Sequence, residues 1–171
     1  MTKSTLVYSR KEKPMQQEID AKNAVFWNEL CGSGLARHIG ITEITPESIK
    51  LYDKAYMGVY PYLEKYVTSA DLKGKRVLDI GLGYGTLGQF IDSMGCDYYG
   101  LDIAEGPVAM MTDRLKLAGR ETEGRVQVGS ALNIPYADGY FDYVYSDSND
   151  HGSELSNNIK CSHKNLLFQK I

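Results

Sequence analysis

No run of apolar residues in this sequence approaches the ~20 needed to cross a bilayer, so a membrane-spanning helix is not expected. The opening stretch MTKSTLVYSRKEKP lacks the apolar centre of a secretory leader. Charge is balanced, with 19 Lys and Arg against 22 Asp and Glu for a net −3. The densest basic run is only SRKEKP, Ser9 to Pro14, which reads as a solvated tail rather than a nucleic-acid face. Cysteine is scarce: Cys31, Cys96 and Cys161 lie far apart with no C-x-x-C pair. They read as reduced structural thiols, and the chain as cytoplasmic. His38, His151 and His163 are equally scattered, without the spacing of a metal site or a catalytic triad. No metal is therefore expected.

What is present looks like one α/β domain. Residues 1–44 read as a polar arm and helix, 45–146 as the core, and 147–171 as an atypical tail. The stretch TPESIKLYDKAYMGVYPYLEKYV predicts a helix capped by Thr45, with Pro46 in its first turn. Ile49, Tyr52, Tyr56, Val59 and Leu63 form its apolar stripe, and Pro61 should kink or split it. Strands are expected over Lys75–Ile80, Cys96–Ile103, RVQVGS and FDYVYS. Between them fall a helix from Thr86 to Met94 and another opened by Pro107, with Val108, Met111, Leu115 and Ala118 on one face. Alternating strands and helices imply a parallel sheet with right-handed crossovers. The fold class expected is therefore a Rossmann-like parallel sheet of about four strands with flanking helices, preceded by a helical segment.

The densest signal is VLDIGLGYGTLGQF, Val77 to Phe90, where a strand runs into Gly81, Gly83 and Gly85 before a helix begins. Glycines let backbone turn tightly and approach a ligand with no Cβ in the way. Gly88 also completes Gly83-x-Gly85-x-x-Gly88, so a dinucleotide-dependent oxidoreductase stays open as an alternative. Asp79, two residues before the first glycine, would repel a pyrophosphate and attract a cation. Asp102 closes the next strand, where a carboxylate can accept hydrogen bonds from both ribose hydroxyls. These features together describe a nucleoside with a positive, phosphate-free tail, which S-adenosylmethionine is.

DIGLGYG, GLDI and GSALNIPYADGYFDYVYS resemble, in order and spacing, the motifs of class I S-adenosylmethionine-dependent methyltransferases, closest to the small-molecule, quinone-type branch. The resemblance covers about Lys75 to Ser146, and FWNELCGS upstream is similar to the lead-in of some members. It implies that Asp79, Gly81, Gly83 and Gly85 line the methionine end of the cofactor. It implies further that Asp102 holds the ribose, that Ile103 packs on adenine, and that Ser130, Ala131 and Leu132 border the ring. Ser130 stands where the family often has Asp, and Tyr84 replaces a small loop residue, where it would either stack or obstruct. The tyrosine-bearing helix from Tyr52 to Tyr62 would serve as core or as a lid over the cofactor.

The activity implied is methyl transfer to a small-molecule acceptor, which needs alignment and water exclusion more than acid–base groups. No catalytic residue is assigned. Only 25 residues follow Ser146, fewer than the about 30 of one strand–helix–strand unit. The chain therefore reads as C-terminally truncated, with the fourth strand left as an open edge. A partner chain, or the tail itself, would then be needed to cover that edge. A non-catalytic cofactor-binding module is the remaining alternative.

Overall fold

The computed structural model describes residues 33–146, a strand at 166–168, and positions 18, 21 and 22. Most of the arm at 1–32, Cys31, most of FWNELCGS, and the tail from 147 to 165 with Cys161, His151 and His163 lie outside the described residues. Among the described residues from 33 onward, five helices and five strands follow in order. They are α1 (Ser33–His38), α2 (Pro46–Val59), α3 (Tyr62–Thr68), β1 (Arg76–Ile80), α4 (Thr86–Ser93), β2 (Asp97–Asp102), α5 (Glu105–Leu117), β3 (Val126–Val128), β4 (Tyr143–Ser146) and β5 (Leu166–Phe168).

The chain's local chemistry accounts for the helix boundaries. Thr45 caps α2 by accepting from the Ser48 amide at 3.1 Å, and Ser48 Oγ accepts from the Thr45 amide at 2.8 Å, a reciprocal box that satisfies two otherwise orphaned donors. Pro61 splits the long helical stretch, ending α2 and serving as N-cap of α3. Gly95 and Gly119, at φ +77° and +71°, take the left-handed turn just past α4 and α5.

The sheet order is β3-β2-β1-β4-β5, and every pairing is parallel. Four of these strands are the expected ones. The fifth, Leu166–Phe168, pairs with β4 through Val144↔Leu166, Tyr145↔Leu167 and Ser146↔Phe168. The open edge expected at β4 is therefore paired by the chain's own tail, which removes the need for a partner chain there.

Side chains alternate across the sheet, as a period of two requires. One face carries Val77, Tyr98 and Tyr145 against Leu63, Val67, Leu87, Ile91, Met111 and Leu115 from α3, α4 and α5. The other carries Leu78, Ile80, Tyr99, Leu101 and Val144, packed with Phe141, Tyr136 and Tyr140. A third cluster joins Ala36 of α1, Tyr52 of α2, Tyr84 of the glycine loop and Met110 of α5. Two stripe assignments shift. Val59 is 57% exposed because α2 ends there before turning at Pro61, and Ala118 is exposed because it lies beyond the last turn of α5. In its place α5 buries Met110 and Arg114.

Candidate cofactor site

Parallel strands place all their carboxyl ends on one side. The order reverses between β1 and β4, the position at which such sheets open a crevice for ligands. The loop Gly81–Gly85 sits there, joining β1 to α4. Its three glycines have φ of +84°, +52° and +81°, values that side chains rarely adopt. They differ in surroundings. A Cβ on Gly81 or Gly83 would meet nothing within 4 Å, so these two border open space. A Cβ on Gly85 would lie 2.7 Å from Arg114 Cδ and 3.1 Å from Met111 Sδ, so Gly85 is a packing glycine. The loop is pinned by Gly81 N–H donating to Leu101 O (3.0 Å) and Gly85 N–H donating to Leu82 O (2.8 Å).

Gly88, the residue that completes the dinucleotide-type spacing, points inward. A Cβ there would strike the Tyr98 hydroxyl and lie 2.9 Å from Asp79 Oδ2. Its glycine is explained by helix-to-strand packing and says nothing about a phosphate.

Asp79 lies in β1, opposite Gly100 and Tyr145 of the neighbouring strands, and is 1% exposed. Its Oδ2 accepts a hydrogen bond from the Tyr98 hydroxyl at 3.0 Å. Asp102 ends β2 and is 8% exposed. Its Oδ2 accepts from the Leu82 amide at 2.7 Å and its Oδ1 from the Ala104 amide at 2.9 Å. Burial raises the Asp102 carboxyl above its ordinary value, opposed by the amides of Ala104, Leu82, Gly83 and Ile103 that face it. Asp102 therefore ties the glycine loop to the end of β2.

Ile103 follows directly and is half-buried. Beyond β3, the Gly129 amide donates to Asp102 O (2.8 Å), which brings Ser130, Ala131 and Leu132 beside the end of β2. Ser130 Oγ accepts from the Leu132 amide at 3.2 Å, closing a small turn, and Ala131 packs on the second core face. All nine sequence-predicted positions thus fall on the carboxyl side of β1, β2 and β3.

Residues that the sequence pattern did not single out complete the surroundings. Arg114 of α5 has a side chain with no exposure and forks onto Asp53 of α2, Nη1 to Oδ2 at 2.9 Å and Nη2 to Oδ1 at 2.8 Å. Gln89 Oε1 accepts from Arg114 Nη1 at 2.6 Å, and Thr86 Oγ1 donates to Asp53 Oδ1 at 2.6 Å. Tyr84 stacks on Tyr52 with centroids 3.8 Å apart, and Arg114 lies 5.6 Å from its ring centroid. Tyr84 stacks, then, and the loop, α2, α4 and α5 meet at one buried ion pair. A groove of about 260 Å³ borders it, lined by Asp53, Met57, Thr86, Gln89, Phe90 and Ser93, and none of the nine predicted positions. The signal for Arg114 was its place three residues after Met111, a charge beside an apolar stripe. Tyr98, beside Asp79, carried no such signal.

A family model described as a methyltransferase domain matches residues 77–161, a span that begins in β1 and takes in the glycine loop and both aspartates. The chain carries a methyltransferase domain of the class I, Rossmann-like type. Solved structures agree with its fold. A magnesium protoporphyrin IX methyltransferase from Synechocystis is 18% identical over 74% of this chain and 57% of its own, with a TM-score of 0.52; it was determined with S-adenosylhomocysteine bound. A dimethyladenosine transferase from Plasmodium falciparum is 24% identical over 64% of this chain and 42% of its own, also at 0.52. The methyltransferase domain here therefore spans about two-fifths to three-fifths of those chains. No curated protein matches the sequence. Among the described residues no helix is long and apolar enough to cross a membrane, and no three His, Cys, Asp or Glu residues cluster as metal ligands.

Proposed function

We propose that this methyltransferase domain binds S-adenosylmethionine across the carboxyl ends of β1 and β2 and transfers its methyl group to a small-molecule acceptor. The observation that carries this reading is the pairing of two buried aspartates, Asp79 and Asp102, with a turn whose Gly81 and Gly83 border open space. A Cβ at either glycine would intrude on that space, so the residues present suit a ligand that lies along the backbone. Asp79, with Gly81, Gly83 and Gly85, would receive the cationic amino-acid end. Asp102 would accept from the ribose, while Ile103, Ser130, Ala131 and Leu132 border the adenine. We assign residues 45–146 as the unit that supplies these groups.

S-adenosylmethionine, when bound, supplies a methyl group on a sulfonium that is already an activated leaving group. The chain's own residues then have two tasks, alignment and exclusion of water. Alignment alone contributes up to roughly 7–11 kcal/mol in well-oriented reactions. Helix α2, held by Asp53 to Arg114 and by Tyr52 to Tyr84, covers the loop on one side and suits the second task. No side chain is assigned to proton transfer, because only an acceptor that keeps its proton near neutral pH would need one.

Isothermal titration with S-adenosylmethionine, and with NADH as control, tests the reading. Micromolar binding of the first that falls at least tenfold in Asp102→Ala supports it. Binding of NADH alone would replace it with the dinucleotide reading. Binding without turnover on a panel of phenols, quinols and amines would favour a non-catalytic cofactor-binding module.

A further inference from the structure

We propose that Tyr98 is a positioning residue for the cofactor site, its hydroxyl fixing the Asp79 carboxylate in the orientation that receives the cationic amino-acid tail. The inference rests on the cofactor reading above and names a residue through which Asp79 acts.

The geometry is built from three elements. Val77 and Asp79 of β1 stand opposite Tyr98 and Gly100 of β2, so all four share one face of the sheet. Tyr98 is 4% exposed and its ring packs in the main core. From there the side chain runs along the sheet, over Gly100, to place its hydroxyl 3.0 Å from Asp79 Oδ2. Two glycines clear this lane. A Cβ on Gly100 would lie 3.2 Å from the hydroxyl, and one on Gly88, in the helix above, would collide with it. Tyrosine, two glycines and the aspartate therefore form one fitted unit, although they are spread over 22 positions of the chain. Phenylalanine would fill the same core volume, so the hydroxyl's place beside the carboxylate is a separate feature from the packing of the ring.

Chemistry favours the assigned direction of the bond. Burial, and next the neighbouring Asp79 charge, push the Tyr98 phenol well above the ordinary tyrosine range. It remains a donor at any pH where the protein would work. A carboxylate that accepts a buried hydroxyl is held in one rotamer, which matters only for a ligand that approaches from a fixed direction.

The test compares Tyr98→Phe with the native chain in titrations against two ligands. One is S-adenosylmethionine and the other is 5′-methylthioadenosine, which keeps the adenosine and sulphur but has no amino-acid tail. The inference expects about a tenfold loss for the first and less than twofold for the second, the loss of one hydrogen bond to a charged group. In an Asp79→Asn background the same change should alter the affinity for S-adenosylmethionine less than twofold, because its effect passes through that carboxylate. Equal losses for both ligands, additive effects with Asp79→Asn, or a Tyr98→Phe chain that fails to fold would assign the hydroxyl to the core and overturn the inference. A native chain that binds 5′-methylthioadenosine but not S-adenosylmethionine would overturn both this inference and the proposed function. A tail-specific loss in Tyr98→Phe that vanishes in the Asp79→Asn background would support both.

Discussion

The ion pair between α2 and α5 offers the sharpest test of how this domain is assembled. In Asp53→Ala the Arg114 guanidinium keeps only the Gln89 amide oxygen, since Asp53 otherwise accepts from both of its terminal nitrogens. Among the described residues Arg114 Nε already has no hydrogen-bond partner, so little else can compensate. Removing one member of a fully buried pair destabilises by about 3–5 kcal/mol. Arg114 is wholly buried, but the Asp53 side chain is 29% exposed and water will partly replace it. The expected loss is therefore about 2–4 kcal/mol. For a chain of this size that lowers the melting temperature by roughly 6–12 °C. Circular dichroism melts and urea titrations read it directly. The double variant Asp53→Ala/Arg114→Met should recover more than half of the loss, because the penalty comes from an unpaired buried charge rather than from missing attraction. A single-variant loss below about 1 kcal/mol, or no recovery in the double variant, would refute the view that this pair fastens α2 to the core.

Glycine substitutions should separate folding from binding. Gly83→Ala at φ +52° meets no neighbour, so it should cost about 1 kcal/mol of stability yet weaken S-adenosylmethionine binding at least tenfold by filling the open side of the turn. Gly85→Ala should behave oppositely in proportion, losing more stability than Gly83→Ala because its methyl meets Arg114 and Met111; urea melts and titration calorimetry on both variants check the contrast. Alkaline stability follows from the buried acids. Burial pushes Tyr145 and Cys96 up to about 12 and Tyr98 well above its usual range. Their folded values exceed their unfolded ones, so the stabilisation is complete below the unfolded values and is lost as pH rises through the folded ones. Stability should hold to about pH 9 and fall steadily toward pH 12, with the share of the 295 nm tyrosinate signal lost in Tyr98→Phe and Tyr145→Phe appearing together with unfolding rather than before it. For the same reason Cys96 should react with iodoacetamide at pH 8 at least a hundredfold more slowly in the folded chain than in urea, as peptide mass mapping would show.

Reading the chain alone located what depends on local chemistry. The cap at Thr45, the break at Pro61, the glycine turn after β1 and the aspartate closing β2 all follow from neighbours a few residues apart, and all appear in place. The nine predicted positions converge because strand–helix alternation forces a parallel sheet, and a parallel sheet gathers its loops at one end. Other features needed the packed molecule. A helical period could mark Met111 and Leu115 as core. It could not supply the carboxylate, 61 residues earlier in the chain, that lets Arg114 be buried beside them. Gly88 carried the same letter whether it faced a phosphate or a tyrosine, and only the meeting of α4 with β2 shows which. The tail offered a short apolar stretch with no stated partner, and pairing with β4 is a long-range choice made by backbone groups seeking hydrogen bonds. Sequence by itself determined the turns, the element types and the chemistry of the glycine loop, because these depend on residues close along the chain. Tertiary structure decided which charges are buried, what each glycine makes room for and where the sheet ends, because these depend on contacts between distant segments.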